Sequence, residues 1–183
     1  MSIASTHSIP AEADQARVAL RVALADNPDG ILESLAAQHQ VSLQTVIDCL
    51  PAQVRRQAPG SAFIDACEDI ASWGDVTLIV HTADAIIEFS GPLPVGKTGH
   101  GYYNLQGGGV VSGHLRADRC GAIYFVRRPF MGKETRSILF FNLEGAAMFK
   151  VYVGRDENRE LRQDQLLRFD ALEQRLAVQE PQA

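Results

Sequence analysis

The sequence predicts an α+β fold in which small N-terminal helices precede a large antiparallel β-sheet and one helix closes the chain. Residues 10–74 are rich in helix formers, residues 75–154 contain successive β-branched and aromatic runs, and residues 155–178 return to helical spacing. Because helices and strands are grouped and do not alternate, the strands should pair antiparallel. The 183 residues suit one domain, residues 10–183, after a disordered tail at residues 1–9.

The predicted N-terminal helices are bounded by residues that begin or end a helix. Proline is favoured in the first turn of a helix, serine is a good N-cap, and proline also stops the helix before it. The predicted helices are residues 10–25, which Pro10 opens; residues 31–39; residues 43–50, which Ser42 caps and Pro51 ends; and residues 61–72, which follow Pro59-Gly60.

Strand-forming runs follow one another in the middle of the chain, with short turn sequences between them. A two-residue turn, Ala83-Asp84, joins the first two runs, and residues 142–145 have the composition of a hairpin loop. A C-terminal helix should span residues 156–178, where leucine and phenylalanine recur at helical spacing. The predicted strands are residues 76–82, 85–90, 100–106, 110–116, 120–128, 136–142 and 146–153.

Composition excludes several classes of protein. The apolar runs are far shorter than the ~20 residues that cross a bilayer. Residues 1–16 lack the basic and apolar regions of a signal peptide, so we expect a cytoplasmic protein that does not act at a membrane. Cys49, Cys67 and Cys120 form no Cys-x-x-Cys pair, which indicates reduced thiols and argues against a zinc cluster or a redox dithiol.

Charge argues against a nucleic-acid partner. Residues 35–51 have the outline of a helix-turn-helix, but no Lys or Arg occurs between Arg21 and Arg55. A DNA-binding protein needs cations that contact phosphates. The net charge is −5, yet residues 76–154 hold eight Lys/Arg against five Asp/Glu. This positive middle segment suits an anionic ligand.

Two glycine-containing segments resemble phosphate loops but lack the necessary context. The three glycines at residues 107–109 precede a predicted strand, whereas a phosphate loop leads into a helix. Residues 92–99 contain the letters GKT without the upstream glycine of a Walker motif. Both segments are interpreted as loops.

Three of the five histidines lie in one strand-patterned stretch, residues 77–116. His81 and His114 each close an apolar run, and imidazole is a common ligand of haem iron, which needs apolar surroundings. On alternating strand faces, His81 lies with Ile79 and His114 lies with Ser112. Two such strands in one sheet would bring both imidazoles to one cavity. Spacing alone, however, favours a structural role for each.

Four segments carry a resemblance to a known family. They are NPDGILESLAAQHQVSLQTVIDCLP, LIVHTADAIIEFSGPLP, GHGYYNLQGGGVVSGHLRADRC and RRPFMGKETRSILFFNLEGAAMFKVYVGRD. Over about residues 25–175 the chain resembles the HutX/ChuX family of intracellular haem-utilisation carrier proteins of bacteria. The resemblance implies an antiparallel sheet with packed helices, similar to one half of the two-repeat haem-trafficking and haem-degrading proteins of the HemS/ChuS type.

The resemblance also implies a function and a site. It implies a cytoplasmic homodimer that binds imported haem as cargo and delivers it to a haem-degrading enzyme. The family's haem-linked histidines match His81 and His114, which would bind the haem iron. Tyr102 and Arg116 are weaker candidates for contacts to the haem. Tyr102 and Tyr103 should point to opposite faces of one strand, so one of them should face the same cavity. Candidate partners for the haem propionates are Arg116, Arg119, Arg127, Arg128, Lys133 and Arg136.

The expected protein is a carrier and not an enzyme. The alternative is an enzyme that degrades bound haem, which needs an open iron position for oxygen and a source of electrons. Two histidines that compete for the iron argue against this alternative. A homodimer is expected for a second reason: residues 138–141 are apolar on both strand faces, which a second subunit would help to cover.

Overall fold

The computed structural model describes residues 9–106 and 111–178, so nearly all of the predicted tail and the three glycines lie outside it. No helix among these residues is both long enough and apolar enough to cross a bilayer. The elements are α1 (Ile9–Asp26), α2 (Leu32–Gln38), α3 (Leu43–Asp48), β1 (Arg55–Pro59), α4 (Phe63–Ile70), β2 (Asp75–His81), β3 (Ile86–Pro92), β4 (Gly96–Gly99), β5 (Tyr102–Leu105), β6 (Gly113–Leu115), β7 (Cys120–Phe130), β8 (Lys133–Asn142), β9 (Ala147–Tyr152) and α5 (Gln163–Leu176).

The strands form two antiparallel sheets, which confirms the predicted α+β class. Six strands make the large sheet, in the order β1-β7-β8-β9-β2-β3, and β4, β5 and β6 make a separate small sheet. His81 ends β2 in the large sheet, whereas His114 lies in β6 of the small sheet. The two histidines therefore belong to different sheets, contrary to the expectation that one sheet carries both.

Helices and the small sheet cover both faces of the large sheet. α1, α2 and α3 pack on the face that carries Tyr124 and Phe141. α4, α5 and the small sheet pack on the face that carries Phe125 and Phe140. Each of these four side chains is at most 1% exposed. Residues 138–141 are thus covered within one chain, so this reason for expecting a second subunit does not hold.

The predicted helix boundaries agree with the structure, except at the start of α5. Ser42 caps α3 as predicted, because its Oγ accepts a hydrogen bond from the Thr45 N–H at 3.1 Å. α5 begins at Gln163 and not at residue 156. Asp156 instead holds a turn, since its Oδ1 accepts hydrogen bonds from the backbone N–H groups two and four residues later, at 2.9 and 3.0 Å.

β1 lies within residues 10–74, which the sequence predicts to be helical apart from turns. It pairs with β7 from Arg55 opposite Val126 to Pro59 opposite Ala122. Its sequence, RRQAP, lacks the β-branched and aromatic residues that identify a strand. β1 lies at the edge of the sheet, where a proline is tolerated, so its strand conformation depends on pairing with β7.

β4 likewise occupies residues that the sequence assigns to a loop. Gly96 lies against the ring of Tyr103, and a Cβ at this position would be 2.3 Å from that ring. The Gly96 N–H donates a hydrogen bond to the Tyr103 hydroxyl at 3.0 Å. Packing against Tyr103 therefore explains why the first residue of the GKT sequence is a glycine.

Candidate functional site

His114 lies in the middle of β6, and its side chain is exposed. The antiparallel pairing of β5 and β6 places it directly opposite Asn104. His114 Nδ1 lies 2.6 Å from Asn104 Oδ1, a hydrogen-bond distance. Opposite residues of paired strands are close enough for such contacts. The hydrogen bond fixes the orientation of this exposed imidazole.

Tyr102 and Arg116 lie next to His114. The Tyr102 and His114 rings meet edge to face with 5.8 Å between their centroids, and Arg116 Cζ is 5.6 Å from the Tyr102 centroid. Tyr102 is 38% exposed and Tyr103 is 1% exposed, so the two tyrosines point to opposite faces as the strand pattern predicts. Together with Asn104, these residues form what we call the His114 group. It contains three of the four residues that the sequence analysis favours as haem contacts.

Arg116 already has a carboxylate partner. Its Nε and Nη2 donate hydrogen bonds to Asp118 at 2.8 and 2.6 Å, and this pairing raises the pKa of the guanidinium above its ordinary value. A ligand carboxylate would have to displace Asp118 or bind other N–H groups of Arg116. The other predicted arginines also have partners: Arg119 with Glu144, Arg127 with Asp170 and Glu173, Arg128 with the carbonyls of Pro28 and Gly30, and Arg136 with Glu134.

A concave surface of about 480 Å³ adjoins the His114 group. This volume is within the range of about 300–1,000 Å³ that is usual for small-molecule sites. His100 and Gly101 form the β4–β5 turn at its border, with φ angles of 53° and 80°. Such angles are rare for histidine and easy for glycine. The lining residues are Thr98, His100, Gly101, Tyr102, Tyr103, Arg116, Ala117 and Asp118.

His81 lies elsewhere, at the end of β2 and close to α2. Its side chain is 22% exposed, and its Nδ1 is 3.3 Å from Glu33 Oε1. Lys150 forms an ion pair with the same Glu33 oxygen. Burial lowers the pKa of Lys150 to about 8. Glu33 therefore connects the imidazole of His81 with a buried cation.

The cleft that His81 lines has a volume of about 140 Å³, which is below the usual range for ligand sites. Among the described residues, none lines both this cleft and the concave surface beside Tyr102. His81 and the His114 group therefore adjoin different cavities of one chain. The prediction that both imidazoles reach a single cavity is not met within the described part of the chain.

Sequence reasoning missed Glu33, Asn104 and Lys150. Glu33 and Lys150 approach His81 from α2 and β9, and no local pattern connects these segments. Asn104 has a weak signal, because it lies in the same predicted strand as Tyr102. Its contact with His114 nevertheless depends on the register of β5 against β6. In the described part of the chain, no cluster of three or more His, Cys, Asp or Glu residues is arranged to hold a bare metal ion.

Comparison with known proteins places this chain in a family. The model of the family "Haem utilisation ChuX/HutX" matches residues 56–172, which is more than half of the chain. This chain belongs to the ChuX/HutX family. A curated relative, the intracellular haem transport protein HutX of Vibrio cholerae serotype O1, is 37% identical over 152 residues. The match covers 82% of this chain and 79% of that relative.

Solved structures of similar chains agree with this membership. A protein from Erwinia carotovora is 48% identical, with a TM-score of 0.83 over 86% of this chain and 98% of that one. The haem-binding protein ChuX is 45% identical, with a TM-score of 0.76 over 84% of this chain and 96% of that one. Each match covers nearly all of the solved chain, so the ChuX/HutX fold extends over most of this protein.

More distant structures show a likeness of fold alone. The haem-binding protein PhuS from Pseudomonas aeruginosa is 16% identical with a TM-score of 0.70, over 93% of this chain and 50% of PhuS. The haem-degrading enzyme ChuS of Escherichia coli O157:H7 is 14% identical with a TM-score of 0.66, over 93% of this chain and 49% of ChuS. The prediction that the fold corresponds to half of such larger proteins is confirmed.

Proposed function

We propose that this ChuX/HutX family protein binds haem as cargo and carries it within the cytoplasm. The observation that carries the proposal is the His114 group, in which an exposed and oriented imidazole lies beside Tyr102 and Arg116, two residues that line a ligand-sized concave surface. Imidazole and phenolate are both known ligands of haem iron, and arginine pairs well with propionate. The names of the relatives, a haem transport protein and a haem-binding protein, support the same cargo.

His81 and His114, which adjoin different cavities of one chain, are each proposed as a ligand of haem iron, and Tyr102 and Arg116 are proposed as further contacts to the haem. His114 is exposed, and His81 is 22% exposed, so both can meet a ligand that arrives from solvent. A carrier must also release its cargo. An exposed ligand suits exchange, and we propose that the acceptor is a haem-degrading enzyme. The carrier itself is proposed to leave the haem intact.

A haem titration followed by absorption spectroscopy tests this function. We expect a saturable shift of the Soret band at one haem per chain, because an imidazole ligand replaces water on the iron. Adding ascorbate or a reductase should then reduce the iron while the porphyrin bands persist. Steady loss of the Soret band with product formation would indicate a haem-degrading enzyme. A spectrum that stays that of free haem throughout would contradict the proposal.

We further propose that the protein works as a homodimer whose second copy completes the cavity beside His81. The 140 Å³ cleft is too small for a macrocycle as it stands in one chain. In the described part of the chain, β3 next to it is an edge strand of the large sheet. Ile86 and Ile87 on this strand are 60% and 62% exposed, and exposed apolar edge strands favour association.

Light scattering at micromolar concentration should give a mass near twice the 20.0 kDa of one chain. We expect the double variant Ile86→Glu/Ile87→Glu to be a monomer, because charges on an edge strand oppose pairing. Leu167→Glu is the matched control, since Leu167 is 73% exposed on α5, away from β3. A dimer that survives the double variant would place the interface elsewhere, and a monomeric wild type would exclude the homodimer.

A further inference from the structure

The orientation of the Asn104 side-chain amide is determined by three carbonyl groups. Its Nδ2 donates hydrogen bonds to the carbonyl oxygens of Lys97 and Gly99, both at 3.0 Å, and to that of Tyr102 at 3.2 Å. Carbonyl oxygens only accept hydrogen bonds. The reverse orientation would turn the amide oxygen towards three other oxygens. The nitrogen must therefore face the β4–β5 turn, which settles a choice that is often ambiguous for asparagine.

This orientation assigns the tautomer of His114. Asn104 Oδ1 faces His114 Nδ1 at 2.6 Å, and an amide oxygen only accepts hydrogen bonds. Nδ1 of His114 must therefore carry the proton, and its N–H donates a hydrogen bond to Oδ1. In the neutral ring, Nε2 then has the free electron pair. His114 is exposed, so this nitrogen belongs to a ring that a ligand can reach.

The small sheet keeps this arrangement in place. Asn104 lies in the central strand β5, opposite Lys97 of β4 on one side and opposite His114 of β6 on the other. One amide group therefore connects all three strands through its two ends. The two N–H bonds of the amide are shared among three carbonyl oxygens and the amide oxygen faces His114, so both ends of the amide are engaged within the small sheet.

We propose that Asn104 is a positioning residue that holds His114 in the Nδ1–H tautomer, so that Nε2 is the nitrogen that binds haem iron. The inference rests on the proposed function. In metal-binding histidines the N–H of the second ring nitrogen commonly donates a hydrogen bond to a carbonyl or carboxylate oxygen, which fixes the ring and its tautomer. Here the partner is a neutral amide, so it orients the ring without adding negative charge. His81, whose Nδ1 lies beside the Glu33 carboxylate, has a charged neighbour instead.

The tautomer can be measured without haem. Long-range ¹H–¹⁵N correlation spectra of the haem-free protein, recorded at about pH 8, separate protonated from unprotonated ring nitrogens. We expect His114 to be protonated at Nδ1 in the wild type. In Asn104→Ala the Nε2–H form, which free imidazole side chains prefer, should become the main one. His39, which lies between α2 and α3, is the internal control and should be unchanged.

The wild-type spectrum decides the inference even if Asn104→Ala loosens the small sheet. Protonation of His114 at Nε2 in the wild type would overturn it. Haem titrations add a second measurement: Asn104→Ala should lower haem affinity about 10-fold or more and change the Soret position, as loss of an outer partner of a metal ligand usually does. Asn158→Ala, in the exposed loop before α5, is the matched control and should bind haem as the wild type does.

Failure of this inference can be distinguished from failure of the proposed function. If His114→Ala weakens haem binding but Asn104→Ala leaves both the affinity and the spectrum unchanged, the positioning role is overturned and the carrier function stands. If His114→Ala binds haem with wild-type affinity and spectrum, His114 is not a ligand, and the positioning role towards iron is overturned with it.

Discussion

His114→Ala and His81→Ala should each weaken haem binding by about 100-fold and move the Soret band, because each removes a proposed iron ligand. Removing a residue that only hydrogen-bonds to a metal ligand typically lowers metal affinity about 10–100-fold. Removing the ligand itself should therefore lower haem affinity by at least the upper part of that range. For His114→Ala the Soret band should move because the iron loses the imidazole that Asn104 orients. Haem titration followed by absorption spectroscopy measures both effects.

His39→Ala is the matched control for both substitutions, because His39 lines neither the His81 cleft nor the concave surface beside Tyr102. Circular dichroism should show that all three variants keep the fold. If both single variants retain the wild-type affinity and spectrum, the assignment of the iron ligands is wrong. If only one variant differs, the iron has one histidine ligand from this pair.

Gly60→Ala should destabilise the fold by about 3 kcal/mol or more, at or above the upper end of what overpacking usually costs. Gly60 is buried where β1 leads into α4, and a Cβ there would lie 1.9 Å from the carbonyl oxygen of Cys120. The obstacle is backbone at the start of β7, which cannot rotate away as a side chain can. A loss of this size corresponds to a fall of about 6–12 °C in the unfolding midpoint for a chain of this length.

Thermal unfolding followed by circular dichroism measures the effect of Gly60→Ala. Gly113→Ala is the control, because a Cβ at Gly113 meets no described atom within 4 Å. Its midpoint should stay within about 2 °C of the wild type, as a small surface change implies. A Gly60→Ala midpoint equal to that of Gly113→Ala would show that β1 and β7 can separate at this point without cost.

Local patterns in the sequence account for much of the fold. The Ala83-Asp84 turn is present, since the Thr82 N–H donates to the Ala85 carbonyl at 2.9 Å. The opposite faces of Tyr102 and Tyr103 follow from the alternation of a strand, which has a period of two residues. Ser42 caps a helix, as its side chain and position predict. Each of these features depends on residues close together in the chain.

Strands with weak local signals could not be identified in this way. β1 contains no strongly strand-forming residue and exists because β7 pairs with it. β4 consists of glycine, lysine and threonine, and its conformation follows from pairing with β5 and from the Tyr103 ring against Gly96. In both cases tertiary contacts override the weak propensity of the segment itself.

The sequence by itself determined the α+β class, the family and the histidines His81 and His114 as candidate ligands. Only the tertiary structure decided that these two histidines lie in different sheets, and that Glu33 and Asn104 are their respective neighbours. The physical reason is that side-chain alternation is a local property of a strand, whereas sheet membership and register depend on contacts between segments far apart in sequence.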